Sequence, residues 1–172
     1  PVDMFTLADF LSLDFVNDKD GWVTDSNGMV WPTGDGGKTW LPFNVRTRPK
    51  LVSLCFADNF TGWAVGDNGL IIRTDDGGYS WQRLSEGGRE NINDLAMSDE
   101  KFGWAVGTRG KIWLTNDSGL NWLPVYSGTE ESINALHFVN EERGFVVGDK
   151  GTVLRTINGG ESWGKGISGV TE

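Results

Sequence analysis

The chain has 172 residues, enough for one ordinary domain, and its net charge of −9 argues against a nucleic-acid role, which clustered Lys and Arg would drive. No stretch approaches the ~18 consecutive apolar residues of a membrane span, and the one cysteine, Cys55, excludes an internal disulfide. Twenty-five glycines and nine tryptophans suit a fold of tight turns packed with large flat side chains, not one of long helices.

The first eight residues stand outside a repeat that governs the rest. Pro1-Val2-Asp3-Met4 aligns with Pro42-Phe43-Asn44-Val45, so residues 1–8 read as the tail of a preceding blade or as a closing strand. Four units follow, at 9–49, 50–90, 91–131 and 132–172, read together as one propeller domain. Trp40, Trp81, Trp122 and Trp163 are spaced at 41 residues, and so are Gly21, Gly62, Gly103 and Gly144. No insertion interrupts the period. A period near 40 to 45 with several short strands per unit marks propeller blades.

The second unit shows the expected elements. Leu51–Phe56 is a short apolar run that fits a strand buried on both faces. Gly62–Gly66 is the second strand, and Asp67-Asn68-Gly69 is a hairpin turn, because Asn and Gly tolerate positive φ. Leu70–Thr74 is the third strand. A tight loop at Asp75–Tyr79 leads to a fourth strand starting at Ser80-Trp81. One such sheet cannot bury its own faces and must stack on neighbours. The predicted fold is an all-β propeller of four-stranded antiparallel blades: partial, four-bladed, or completed by a partner chain.

The loop before the fourth strand recurs as Thr33–Trp40, Thr74–Trp81, Thr115–Trp122 and Thr156–Trp163. It resembles the Asp-box, or bacterial neuraminidase repeat, of the form Ser/Thr-x-Asp-x-Gly-x-Thr/Ser-Trp. Its structural residues are Asp35, Trp40, Asp76, Trp81, Asp117, Trp122, Asn158 and Trp163. The acidic side chain accepts backbone N–H bonds inside its own turn. The tryptophan is expected to plug the space between sheets. Asn158 supports a turn-building role, because an amide is no base.

Gly62-Trp63-Ala64-Val65-Gly66, Gly103-Trp104-Ala105-Val106-Gly107 and Gly144-Phe145-Val146-Val147-Gly148 each precede a third strand and an Asp-box. That combination resembles the photosystem II stability/assembly factor family, over residues 9–172. The resemblance implies a propeller scaffold that binds another protein, in the thylakoid lumen or its bacterial counterpart. Periplasmic or extracellular export rests on the same resemblance, and the residues themselves leave the compartment open. The first unit departs from the pattern at Asp25, where the other three have glycine.

A binding site is expected where the units differ. The loops between strands two and three, and from strand four to the next strand one, share one face of a propeller. They carry Arg46, Arg48, Lys50, Asp67, Asn68, Arg89, Thr108, Arg109, Asp149 and Lys150, the candidate partner-binding residues. Arg46, Arg48 and Lys50 form a local basic cluster suited to an acidic partner segment. Arg73 and Arg155 share a third-strand position and are read as packing their stems on tryptophan.

The expected function is a non-enzymatic scaffold for a protein partner, without nucleic acid or membrane insertion. A homodimer, or further blades, stand as ways to complete the ring. One alternative is a carbohydrate-binding or glycoside-cleaving Asp-box propeller, with Asp14, Asp58, Asp94 and Asp99 as the carboxylates to weigh. The other is an architectural module of a larger, phage, surface or engineered protein. His137 is the only histidine, no His/Cys cluster suggests zinc, and the glycines belong to hairpins, not to a phosphate loop. No cofactor or metal is expected.

Overall fold

The computed structural model describes residues 7–45, 50–85 and 88–165. It contains four separate four-stranded sheets, each with its strands in sequence order. The first is β1 (Phe10–Phe15), β2 (Gly21–Asp25), β3 (Met29–Thr33) and β4 (Phe43–Asn44). The second is β5 (Leu51–Phe56), β6 (Gly62–Gly66), β7 (Ile71–Thr74) and β8 (Gln82–Ser85). The third is β9 (Ile92–Met97), β10 (Gly103–Gly107), β11 (Ile112–Thr115) and β12 (Leu123–Val125). The fourth is β13 (Ile133–Phe138), β14 (Gly144–Gly148), β15 (Val153–Thr156) and β16 (Gly164–Lys165). These are propeller blades, antiparallel meanders repeated along the chain. No helix among the described residues is long and apolar enough to cross a membrane.

The fourth strand of the second blade begins at Gln82, two residues later than the pattern predicts. Ser80 and Trp81 stay with the box instead: Ser80 N donates to Asp76 Oδ1 at 2.8 Å, and Trp81 Nε1 to Gly78 O at 3.0 Å.

The chain divides into two compact units, Pro1–Ile92 and Asn93–Glu172. In the first, the core joins Trp22 and Val30 of one blade to Leu51, Leu54, Phe56, Ala64, Leu70 and Ile72 of the next. In the second, Val106 and Ile112 pack against Ile133, Val146 and Leu154 in the same way. A backbone relay reinforces both. Ser12 Oγ accepts from Leu54 N at 3.2 Å and Asp14 Oδ2 from Phe56 N at 2.7 Å. In the second unit Asp94 Oδ2 accepts from Leu136 N at 2.9 Å.

The stacked rings and indole N–H bonds that cross between blades belong to second-strand tryptophans. Trp22 stacks on Phe56 (3.6 Å, 6°) and donates to Gly77 O at 2.8 Å. Trp104 stacks on Phe138 (3.5 Å, 13°) and donates to Gly159 O at 2.8 Å. The box tryptophans Trp40, Trp81 and Trp163 are half-buried, and each donates to a carbonyl of its own box. Their rings meet the first-strand Phe of their own sheet edge-on. Trp81 and Trp163 also pack against the cores that join two blades. Each of these box indoles gives its N–H to its own box, whereas Trp22 and Trp104 give theirs to the box of the next blade. Trp122 differs, since its Nε1 is buried with no partner among the described residues.

Candidate protein-binding face

The turns between second and third strands are built alike in the second, third and fourth blades. In the second blade Leu70 N donates to Asp67 O at 3.2 Å, with Asn68 at φ 57° and Gly69 at φ 66°. Two successive left-handed residues make the tight hairpin expected of Asn-Gly. In the third and fourth blades the first of these places holds Arg109 (φ 57°) and Lys150 (φ 51°). A non-glycine residue here costs about 1 kcal/mol. Asparagine offsets part of that through local hydrogen bonding; arginine and lysine do not.

The incoming loops lie against these turns. Asp67 N donates to Lys50 O at 3.0 Å, and Asn68 N to Asn91 Oδ1 at 3.0 Å. In the second unit Asp149 N donates to Ser132 O at 2.9 Å, and Asn134 Nδ2 to Asp149 Oδ1 at 2.8 Å. A Cβ on Gly110 would strike Thr129 O, which shows how closely that loop covers the turn.

Lys50, Asp67, Asn68 and Arg89 thus gather at one edge of the first unit, and Thr108, Arg109, Asp149 and Lys150 at the matching edge of the second. Lys50, Asn68, Arg89, Arg109, Asp149 and Lys150 are exposed; Asp67 and Thr108 are half-buried. Lys150 Nζ bonds Glu131 Oε1 at 2.9 Å, and that bond raises the lysine pKa. Exposed pairs of this kind add little stability. Arg46 and Arg48 lie outside the described residues.

The boxes occupy the other edge. Gly36 N, Gly77 N, Ser118 N and Gly159 N each donate to a carbonyl in the loop between the first two strands of their own blade. Asp35 accepts from Lys38 N, Thr39 N and Thr39 Oγ1 at 2.9, 2.9 and 2.7 Å. The bond from the Thr39 hydroxyl leads the causes that lower its pKa to about 2. Asp117 is lowered chiefly by the Asn121 side-chain bond. At Asp76 burial pushes upward, but bonds from Ser80 and Thr74 outweigh it and the net shift is down. Asn158 keeps the geometry, accepting from Ser162 N at 3.2 Å and donating to Ser162 Oγ at 3.0 Å. The Asp or Asn of each box accepts backbone N–H bonds within its own turn.

The other carboxylates named in the sequence bind backbone. Asp58 Oδ1 accepts from Phe60 N and Thr61 N, and Asp99 Oδ1 from Lys101 N and Phe102 N. Asp14 and Asp94 hold the neighbouring blade's first strand. The Arg73 guanidinium lies 5.8 Å from the Trp63 ring centroid and pairs with Asp75, a contact of the head group. His137 is exposed on β13.

Asp25 is a structural residue that the sequence marked only as a missing glycine. In the second and fourth blades a Cβ at this place would strike a carbonyl, of Lys50 at Gly66 and of Ser132 at Gly148. In the first blade the buried Asp25 carboxylate instead accepts from Asn27 N, Met29 N and Trp31 Nε1 at 2.8, 3.0 and 2.9 Å.

The family model of the photosynthesis system II assembly factor YCF48 matches residues 1–90 and 88–165. The chain belongs to the YCF48 assembly-factor family. It is 43% identical over 44 residues to the photosystem II assembly lipoprotein Ycf48 of Prochlorococcus marinus (strain NATL2A), a stretch covering 26% of this chain and 13% of that protein. YCF48 from Cyanidioschyzon merolae superposes with a TM-score of 0.75 at 20% identity, over 99% of this chain and 60% of that one. A YCF48 bound to a D1 peptide gives 0.60 at 21% identity, over 93% and 68%. An ancestral GH74 enzyme gives 0.79 at 12% identity, over 94% of this chain and 24% of that one, a likeness of fold. The chain thus spans less than two thirds of the P. marinus and C. merolae YCF48 proteins.

Proposed function

We propose that this chain is a non-enzymatic propeller module that binds a segment of another protein during photosystem II assembly, through the face carrying the second-to-third-strand turns. The observation that carries this reading is the pair of cations, Arg109 and Lys150, presented at equivalent turn tips whose backbone disfavours them. A costly conformation kept for an exposed charge suits recognition better than solvation. Family membership supports the same reading, as does the related YCF48 that was solved with a D1 peptide. Arg46 and Arg48, by their place in the sequence, extend the basic character of the face.

The test is titration of a fluorescently labelled D1 peptide with the chain. The reading expects saturable binding, weakened at least about tenfold by Arg109→Glu plus Lys150→Glu with the melting temperature retained. Binding unchanged by that double variant removes the face. No binding by the folded wild type removes the partner class.

A further inference from the structure

On the box edge, the cleft between successive blades is bridged in one unit and open in the other. In the first unit Asp20 Oδ2 accepts from Asn17 Nδ2 at 2.9 Å and from Asn59 Nδ2 at 3.0 Å, and Asn17 Nδ2 also donates to Asn59 Oδ1 at 3.0 Å. These bonds tie the loop between the first two strands of one blade to the same loop of the next. Two repeats further along, the places of Asn17, Asp20 and Asn59 hold Asp99, Phe102 and Glu141. Asp99 turns its carboxylate to the backbone of Lys101 and Phe102, and a phenyl ring offers Glu141 no donor. A cleft of about 480 Å³ opens there, between two consecutive blades of the second unit.

The floor of the cleft is apolar and its rim is acidic. Phe102, 46% exposed, lines it together with Leu114 and Trp104. Glu141, Glu142 and Glu161 line it as well, all three exposed. Among the described residues no hydrogen bond or ion pair engages their carboxylates. In the first unit the places of Glu142 and Glu161 hold Phe60 and Tyr79, and Tyr79 packs on Phe43 at 5.0 Å. The open cleft thus differs from the bridged one in shape and in charge together. Carboxylates around one opening repel one another until a cation joins them.

We infer that this cleft takes an arginine side chain carried by a basic segment of a partner protein. A guanidinium is planar, weakly hydrated and rich in donors, so it stacks on an aromatic ring while bonding several carboxylates. Lysine brings a strongly hydrated point charge to the same rim and gains less from the ring. The charge preference is opposite to that of the turn face with Arg109 and Lys150. The two edges therefore take different segments, and this inference stands whether or not the turn face recognises a D1 peptide.

Amide NMR of the isotope-labelled 172-residue chain tests it by titration with the blocked peptide Gly-Leu-Arg-Gly and with its neutral citrulline analogue. The arginine peptide is expected to shift the amides of Phe102, Leu114, Glu141 and Glu142 saturably. The citrulline peptide should bind about fivefold more weakly or worse. Glu142→Gln plus Glu161→Gln should weaken the arginine peptide by a similar factor. Phe102→Asp plus Glu141→Asn supplies the bonding pair of the first unit without changing the net charge, and should abolish the shifts. All four side chains are exposed, so folding should survive, and circular dichroism checks it. The proposal is overturned by a wild type without saturable shifts or by shifts spread over the whole acidic surface. Equal binding of the citrulline peptide, or undiminished binding by either folded double variant, overturns it too.

Discussion

The indole of Trp22 lies flat on the ring of Phe56, 3.6 Å between centroids and 6° between planes, while its N–H reaches Gly77 O at 2.8 Å. One side chain thus joins a second strand to both the first strand and the box of the following blade. Burying an indole of ~200 Å² contributes at most about 5 kcal/mol. Trp22→Ala is expected to cost about 3–5 kcal/mol. Trp22→Phe keeps an aromatic ring but leaves Gly77 O without its donor, and should cost about 1–3 kcal/mol. Urea unfolding measures both, and equal costs for the two variants would contradict this division between stacking and hydrogen bonding.

Thr24 is fully buried, and its hydroxyl finds no partner among the described residues. Its counterparts in the other blades are Val65, Val106 and Val147. Replacing an unsatisfied hydroxyl by a methyl of the same shape relieves its desolvation. Thr24→Val should therefore stabilise by about 1 kcal/mol. A loss of stability in the same unfolding assay would mean that the hydroxyl is bonded.

Arg109 stands at φ 57°, in the place Asn68 fills in the preceding blade. Arg109→Asn should raise stability by about 0.5–1 kcal/mol, because asparagine tolerates this conformation better. Peptide affinity should fall at the same time. A variant both less stable and equally tight would sever the link between strain and recognition.

The Asp35 carboxyl has its pKa lowered from 3.8 to about 2. A folded-state pKa below the unfolded one gives stability that is present above about pH 4 and is lost as pH falls through 2. Asp76 and Asp117 shift in the same direction. The melting temperature of wild type should fall between pH 4 and 2 more steeply than that of the Asp35→Asn, Asp76→Asn, Asp117→Asn triple variant. The Asn158 box shows that an amide can hold the same turn. Parallel pH profiles would show that these bonds do not favour the charged carboxylate.

Much of the fold is legible in the repeat. The 41-residue period locates the sheets, and Asp-Asn-Gly specifies the turn at 67–69 because its backbone angles are a local demand. Which tryptophan bridges blades is not legible in this way. The positions of Trp22 and Trp40 recur with the same period, the first as Phe145 in the fourth unit, and spacing along a chain does not say which side chain crosses to the next sheet. The structure separates them through their acceptors, Gly77 O in the next blade for Trp22 and Gly37 O in its own box for Trp40. Asp25 was visible as a missing glycine, but its compensation depends on Trp31, six residues away on the neighbouring strand. The candidate face was legible as loops that vary between units. The left-handed backbone at Arg109 and Lys150 was not, because these residue types disfavour it.

Amide hydrogen exchange with and without a D1 peptide tests most directly whether the turn face recognises protein. Slowed exchange is expected at residues 67–69, 88–91, 108–110 and 149–151, with the boxes at 33–40 and 74–81 unchanged. Protection confined to the boxes, or spread evenly over both edges of the blades, would contradict the account.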